Sequence, residues 1–437
     1  MTANGDFSKP PVGGAGDQFD YNNLAFHLSQ NSIFGVANTL QFRKPWLDYD
    51  SAKGFNEKER TYLNSRGLLT PEDNAESPRP FAYRDWGYAS LLAGVYKIFG
   101  YNLVYGRWIN ILIFALCPVI LFILIKSFAS FYLSLIATLI LTFSSVLLTY
   151  VRYMLTEPLA AVLVLILAAL FLKEFKTEKT EFRFLPSVQI GLCLACLFLT
   201  KKMFLFSILL IFLILFANAL IKKSKGLFLN LLIIGFTMTF LIIPFFIFNI
   251  SATGHASLLT GTNGWHDMPA SYSRELLNDN ETNDLVKRRE ALFLRYASET
   301  GMPVGNDIER ALVGKSLFFE KIVTQPEFSS LLPKLVFKKI SDELEDSVAG
   351  WVIRTFALIG FFFLLLQLPS FSLLLVTIPI GTLIAVGLVH GDKGRMIAVS
   401  FPIFLFFAAN GASCGLRKIS QRLSPQTPRP GLDSKIK

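Results

Sequence analysis

Beyond residue 102 the chain alternates long apolar runs with short polar breaks. The apolar runs fall near 103–126, 128–150, 155–174, 184–199, 203–220 and 227–249, each close to the ~20 residues a helix needs to cross a bilayer. A polar stretch from 251 to 349 follows, with amphipathic helix-like runs around 283–299, 305–323 and 330–345. Three more apolar runs, near 350–368, 370–390 and 396–414, lead to a basic, Pro-containing tail whose composition predicts disorder. Before residue 103 the pattern changes. Met1 to Gly16 is polar and Gly-rich, without the basic flank and apolar core of a signal peptide. Residues 17–30 predict a helix and 40–80 a polar loop. Phe81 to Gly100 is aromatic and moderately apolar but carries Arg84, Asp85 and Lys97, so it predicts a helix lying in the interface. The expected fold is all-α and polytopic, with about nine transmembrane helices, interfacial helices and a helical exoplasmic loop. The expected units are an exoplasmic first loop (1–102), a six-span bundle (103–249), the exoplasmic helical loop (250–349), a three-span bundle (350–414) and a cytoplasmic basic tail (415–437).

Composition agrees. Of 437 residues, 52% are hydrophobic and 42 are Phe, with mean hydropathy +0.47, values of a membrane protein rather than a soluble one. The net charge of +10 gathers in short clusters between apolar runs, with no continuous basic stripe, and this excludes nucleic acid as a partner. Instead it sets sidedness, because basic short loops stay in the cytoplasm. Lys126, the group Lys173, Lys176, Lys179 and Arg183, the group Lys222, Lys223 and Lys225, and Arg417 with Lys418 all fall on one side if the spans alternate. The N-terminal segment, Arg152 to Glu157, Thr200 to Lys202, the 251–349 loop and His390 to Arg395 then fall on the exoplasmic side. Cys117, Cys193, Cys196 and Cys414 lie in apolar runs, where they act as small hydrophobes.

Ionisable groups collect at the exoplasmic span ends, where charge is expensive and marks function. Asp17, Asp20 and Tyr21 follow a Gly-rich run at i, i+3 and i+4, which places them on one helix face. Asp17 equally suits a helix cap, and the two roles are compatible. Glu157 beside Pro158 suits the first turn of a helix through the dipole. For Lys201, Lys202 and Arg395 the competing account is interfacial snorkelling. Together, acids at 17 and 157 and cations at 84, 152, 201 and 395 offer a proton acceptor and a phosphate holder on one face.

The order of these motifs resembles a family. Gly16-Asp17-x-x-x-Tyr21, Tyr83-Arg84 with Gly87-Tyr88, the run Leu91 to Gly100, and Arg107-Trp108-Ile109-Asn110 are similar to the first exoplasmic loop and second span of GT-C glycosyltransferases of the protein O-mannosyltransferase and lipid A aminoarabinose transferase type. Arg152-Tyr153-x-Leu155-x-Glu157-Pro158 resembles the family's second acidic motif, and Leu199-Thr200-Lys201 its lysine-bearing loop. His390 to Arg395 followed by Ser400-Phe401-Pro402 resembles its final signature.

The resemblance implies a GT-C-like membrane glycosyltransferase. It would transfer a sugar, with inversion, from a polyprenyl-phosphate donor to an acceptor hydroxyl or lipid phosphate on the exoplasmic face, the acceptor being a lipid, a glycan or a protein. It implies Asp17 as base, Glu157 assisting at the same centre, and Arg84, Arg152, Lys201 and Arg395 binding the donor phosphate or orienting the acids. Asp20, Tyr21 and Lys202 are secondary candidates. The implied location is a bacterial inner membrane, with the site on the periplasmic or extracellular face. A divalent metal beside the acids stays open, although His27, His255, His266 and His390 show no ligand spacing. Trp265 suits either sugar stacking or interfacial anchoring.

Three departures stand against the resemblance. Asp85 and Trp86 replace a proline-containing turn, so Asp85 is expected to neutralise its neighbour Arg84 in part. Lys202 occupies a position often filled by Gly. The family's first span precedes the aspartate loop and none precedes it here, so the expectation is a late gene start or an outward N-terminus. The rivals are a flippase or transporter of lipid-linked sugars and an inactive structural homologue. Inverted-repeat transporters have broken helices and pseudo-symmetric halves, and the sequence has neither.

Overall fold

The structure, a computed structural model, describes residues 10, 17–31, 35–37, 39–65, 67–69, 79–80, 84–175, 181–253, 269, 272, 285–304, 307–334, 336, 348–388 and 398–423. A headpiece precedes the apolar helices. It comprises α1 (Asp17–Asn31), β1 (Gly35–Val36), α2 (Leu40–Ala52), α3 (Glu57–Ser65), β2 (Arg79–Pro80) and α4 (Trp86–Phe99). The stretch expected as a polar loop, 40–80, thus holds two helices, and local capping explains them. The Thr39 hydroxyl accepts from the Phe42 N–H at 3.3 Å to start α2. Asn56 and Glu59 exchange side-chain-to-backbone bonds at 2.9 and 3.2 Å to start α3, a capping box. Helix α1 lies along α4, and Phe19, Leu24, Phe26, Phe42, Trp46, Tyr88 and Tyr96 form the core between these helices. Strand β1 pairs antiparallel with β2. Asn23 and His27, one turn apart on α1, bind the N–H and C=O of Ala37 and hold the chain that leaves β1.

The apolar helices are α5 (Leu103–Lys126), α6 (Phe131–Phe143), the short α7 (Ser145–Arg152), α8 (Glu157–Phe175), α9 (Phe184–Thr200), α10 (Phe204–Ile221) and α11 (Lys225–Thr253). After the amphipathic α12 (Leu285–Thr300) and α13 (Asp307–Leu317), which runs into a π-turn at Phe318–Ile322, come α14 (Val348–Gln367), α15 (Pro369–Leu388) and α16 (Phe401–Leu423). Among the described residues, α5, α8, α10 and α11 are long and apolar enough to cross a membrane. The shorter apolar helices α6, α9, α14, α15 and α16 accompany them. Each expected apolar run contains one of these helices, and the chain is an integral multi-pass membrane protein of all-α class.

Helix α8 is the centre, with 67% of its span buried against 33% for α5 and α10 and 22% for α11. It therefore needs apolar residues all round, whereas α5 exposes a stripe of Trp108, Leu112, Leu116, Val119 and Ile123 and buries the opposite face. The run 128–150, expected as one span, breaks at Ser144, whose ψ of 122° is extended. Its N–H turns back to Leu141 O and its carbonyl accepts from Leu148, closing α6 and opening α7. Paired serines favour such local alternatives to the helix ladder.

Candidate active site

Two charged dipeptides organise one end of the bundle. Arg84-Asp85 enters α4, and Lys201-Lys202 joins α9 to α10. Arg84 reaches back to α1, where its Nη2 and Nε lie 2.7 and 2.8 Å from Asp20 Oδ2. Asp85 reaches the other way: its Oδ1 is 3.2 Å from Lys202 Nζ, and its Oδ2 accepts from the Lys202 N–H at 3.2 Å. Lys201 turns toward α8, where its Nζ donates to Glu157 Oε1 at 2.9 Å. The result is three ion pairs, brought side by side by the chain neighbours Arg84-Asp85 and Lys201-Lys202, with as many acids as bases. Burial is deep, with the Glu157 side chain 0% and the Lys201 side chain 9% exposed. Burial pushes the Asp85 carboxyl up, opposed by Lys202 and Lys201. It pushes the Lys202 ammonium down, opposed by Asp85 and reinforced by Arg84. Charges this far from water persist only when paired.

The loop that delivers Glu157 is held by α5 and α4. Asn110 Nδ2 donates to the carbonyls of Val151 and Leu155 at 3.4 Å each, while its Oδ1 accepts from Tyr88 Oη at 3.1 Å. Burial, and then the neighbouring Tyr96, Glu157 and Tyr21, hold the Tyr88 phenol well above its usual range, so it remains a donor. Within the loop Met154 takes φ +51°, a left-handed conformation uncommon for a bulky side chain. Tyr21 meets Tyr88 edge-on with centroids 5.4 Å apart, and the Arg84 guanidinium lies 6.0 Å from the Tyr21 ring centroid. Trp86 packs edge-on against Phe245 and Phe248, which brings the end of α11 to the same place.

The structure therefore gathers Asp20, Tyr21, Arg84, Glu157, Lys201 and Lys202 at one end of the bundle. Asp17 is the first residue of α1 and Arg152 the last of α7, but their side chains, like the whole of Arg395, lie outside the described residues. So do Trp265, His255, His266 and His390. Asp85, expected to offset part of the charge of Arg84, pairs with Lys202, and Arg84 pairs with Asp20. Sequence reasoning also passed over Asp85 and Asn110 as working residues, and missed Tyr88 as the donor to Asn110. Each sits inside a quoted motif, yet its partner is 22 to 117 residues away.

Solved structures similar to this chain include two membrane proteins bound to lipid phosphates. The archaeal oligosaccharyltransferase AglB from Archaeoglobus fulgidus, in complex with an inhibitory peptide and a dolichol-phosphate, is 12% identical with a TM-score of 0.45, over 93% of this chain and 51% of its own. ArnT from Cupriavidus metallidurans, bound to undecaprenyl phosphate, is 12% identical with a TM-score of 0.40, over 96% of this chain and 78% of its own. The chain spans about half the length of the archaeal enzyme. No protein-family model matches the sequence, and no curated protein does.

Among the described residues no group of three His, Cys, Asp or Glu side chains converges, and Asp20 and Glu157 each hold a cationic side chain.

Proposed function

We propose that this protein is a membrane glycosyltransferase that moves a sugar, with inversion, from a polyprenyl-phosphate donor to an acceptor on the exoplasmic face. The observation that carries the reading is the gathering of three ion pairs, Asp20 with Arg84, Asp85 with Lys202 and Glu157 with Lys201, at one end of an apolar bundle. Its supporting sequence feature is the order of the motifs in which these residues lie. A lipid phosphate sits at the depth of span ends, with its chain among the helices and its sugar outward. Cations held by acids at that depth can bind the leaving phosphate without carrying net charge into the lipid when it is gone.

In the proposed reaction Asp17 takes the proton of the acceptor hydroxyl, whose oxygen attacks the anomeric carbon from the side opposite the phosphate. The bond between that carbon and the phosphate oxygen breaks, and its electron pair leaves with the polyprenyl phosphate. Arg84 and Lys201, joined by Arg152 and Arg395, stabilise the departing charge. Glu157 orients Lys201, as Asp20 orients Arg84. The test is transfer of labelled sugar from a polyprenyl-phosphate sugar by membranes containing the full chain. Transfer that is absent from membranes of Glu157→Gln/Lys201→Met, which leaves no stranded charge, at matched expression supports the reading. No transfer by the wild-type chain across polyprenyl-phosphate hexoses and pentoses sinks it.

A further inference from the structure

Asp85 and Lys202 lie 117 residues apart in the chain, and the structure joins them to each other. Asp85 has the extended backbone of a helix N-cap, φ −74° and ψ 142°, yet its side chain makes no bond to its own helix. An aspartate there ordinarily satisfies an orphan amide of the first turn. Here both carboxylate oxygens cross to the α9–α10 loop, one to the Lys202 N–H and one to its ammonium. The approach is close because residue 87 is Gly. A Cβ there would lie 2.8 Å from Thr200 Oγ1 and 2.9 Å from the Leu199 carbonyl carbon and the Thr200 nitrogen. Lys202 Nζ also lies over the Phe245 ring, 5.1 Å from its centroid, which ties α11 into the seam. On either side of this seam stand the two remaining ion pairs: Arg84, beside Asp85, bound to Asp20, and Lys201, beside Lys202, bound to Glu157.

We infer that Asp85 and Lys202 are a positioning pair, clamping the entry of α4 to the α9–α10 loop so that the Asp20 and Arg84 pair and the Glu157 and Lys201 pair face one substrate. Its consequence for turnover rests on the transferase reading above; the clamp itself does not. Asp85 gives up a cap on α4 in exchange for a fixed distance between headpiece and bundle. Small losses of alignment between catalytic groups cost rate rather than affinity when the groups that bind the donor are retained.

The experiment uses the full chain in detergent and two double variants that both remove the buried charges together. Asp85→Asn/Lys202→Met keeps an acceptor of the same length for the residue 202 N–H. Asp85→Ser/Lys202→Met supplies a good cap for α4 but is too short to cross the seam, so the helix keeps its start and only the clamp is lost. Both variants lack the Lys202 cation equally, so they are compared with each other: the Ser variant is expected to show a kcat at least about tenfold below that of the Asn variant, with donor KM differing by less than about twofold. A second reading needs no turnover. Thr200→Cys replaces a residue that is 1% exposed under Gly87. A charged maleimide should label it at least about tenfold faster in the Ser variant than in the wild-type or Asn background. Equal protection of Thr200→Cys in both variants overturns the clamp. Rapid labelling together with equal kcat in the two variants overturns the positioning role, and an inactive wild type with rapid labelling in the Ser variant upholds the clamp and sinks only the transferase reading.

Discussion

The Glu157 side chain is fully buried, with Lys201 Nζ 2.9 Å from its carboxylate. Replacing one member of a buried pair strands the other, at a cost of about 3–5 kcal/mol, whereas removing both is far milder. Glu157→Gln is therefore expected to lower the melting temperature sharply, and Glu157→Gln/Lys201→Met to recover most of the loss, as thermal unfolding in detergent will show. For Asp17 the expectation is chemical. Asp17→Asn keeps size and any capping bond but removes the proton acceptor, so sugar transfer should fall about a hundredfold to ten-thousandfold at unchanged protein level. Near-normal turnover would leave Asp17 with a cap and nothing more. His27 adds a pH dependence to the headpiece. Its Nε2 lies 3.0 Å from Ala37 O and so carries the donated proton, and burial lowers its pKa below the ordinary 6.5, partly offset by that bond. The unfolded chain then binds more protons than the folded one as pH falls below about 6.5, so stability is full above that value and declines beneath it. His27→Gln, which retains a donor but does not titrate, should flatten the melting temperature between about pH 6.5 and pH 5.

Among the described elements, α14 and α16 cross closely at a pair of glycines. A Cβ on Gly360 would lie 1.8 Å from Phe407 O, and one on Gly411 2.4 Å from Phe356 O. Small residues let helices approach closely in lipid, where packing rather than exclusion of water drives association. Gly411→Val must push the helices apart and should destabilise by about 1–3 kcal/mol or more, measured as a fall in melting temperature, while the same change at Gly415, which faces open space, should be mild. The same scale explains α2 and α3. Their apolar content is low, but Thr39 and the Asn56 and Glu59 box start them, and Phe42 and Trp46 anchor α2 in the headpiece core. Those capping residues were readable; their weight was not, because a cap stabilises a helix only where a core receives it.

For the whole molecule, the ion pairs, the Tyr88 to Asn110 bond and the Trp86 ring contacts place the headpiece, the 152–157 loop, the 200–202 loop and the end of α11 together. Alternation of apolar helices demands the same grouping. If the basic loops are cytoplasmic, a cysteine in place of exposed Lys58 should react with an impermeant maleimide on intact cells, and one in place of Lys223 should react only after lysis. The reverse pattern would put the proposed site on the wrong face. The sequence by itself determined the class, the apolar helices and the end of the bundle where charge gathers, because each depends on local hydropathy and on the order of segments along the chain. It placed Glu157, Lys201 and Arg84 at that end without saying which acid takes which base. Only the tertiary structure decided that Asp85 crosses to Lys202 and leaves Arg84 to Asp20, and that Asn110 holds the loop of Glu157. Those choices depend on side chains up to 117 residues apart meeting where helices are packed. Adjacent charges such as Arg84 and Asp85 look like partners along a sequence, but an extended backbone between them points their side chains apart.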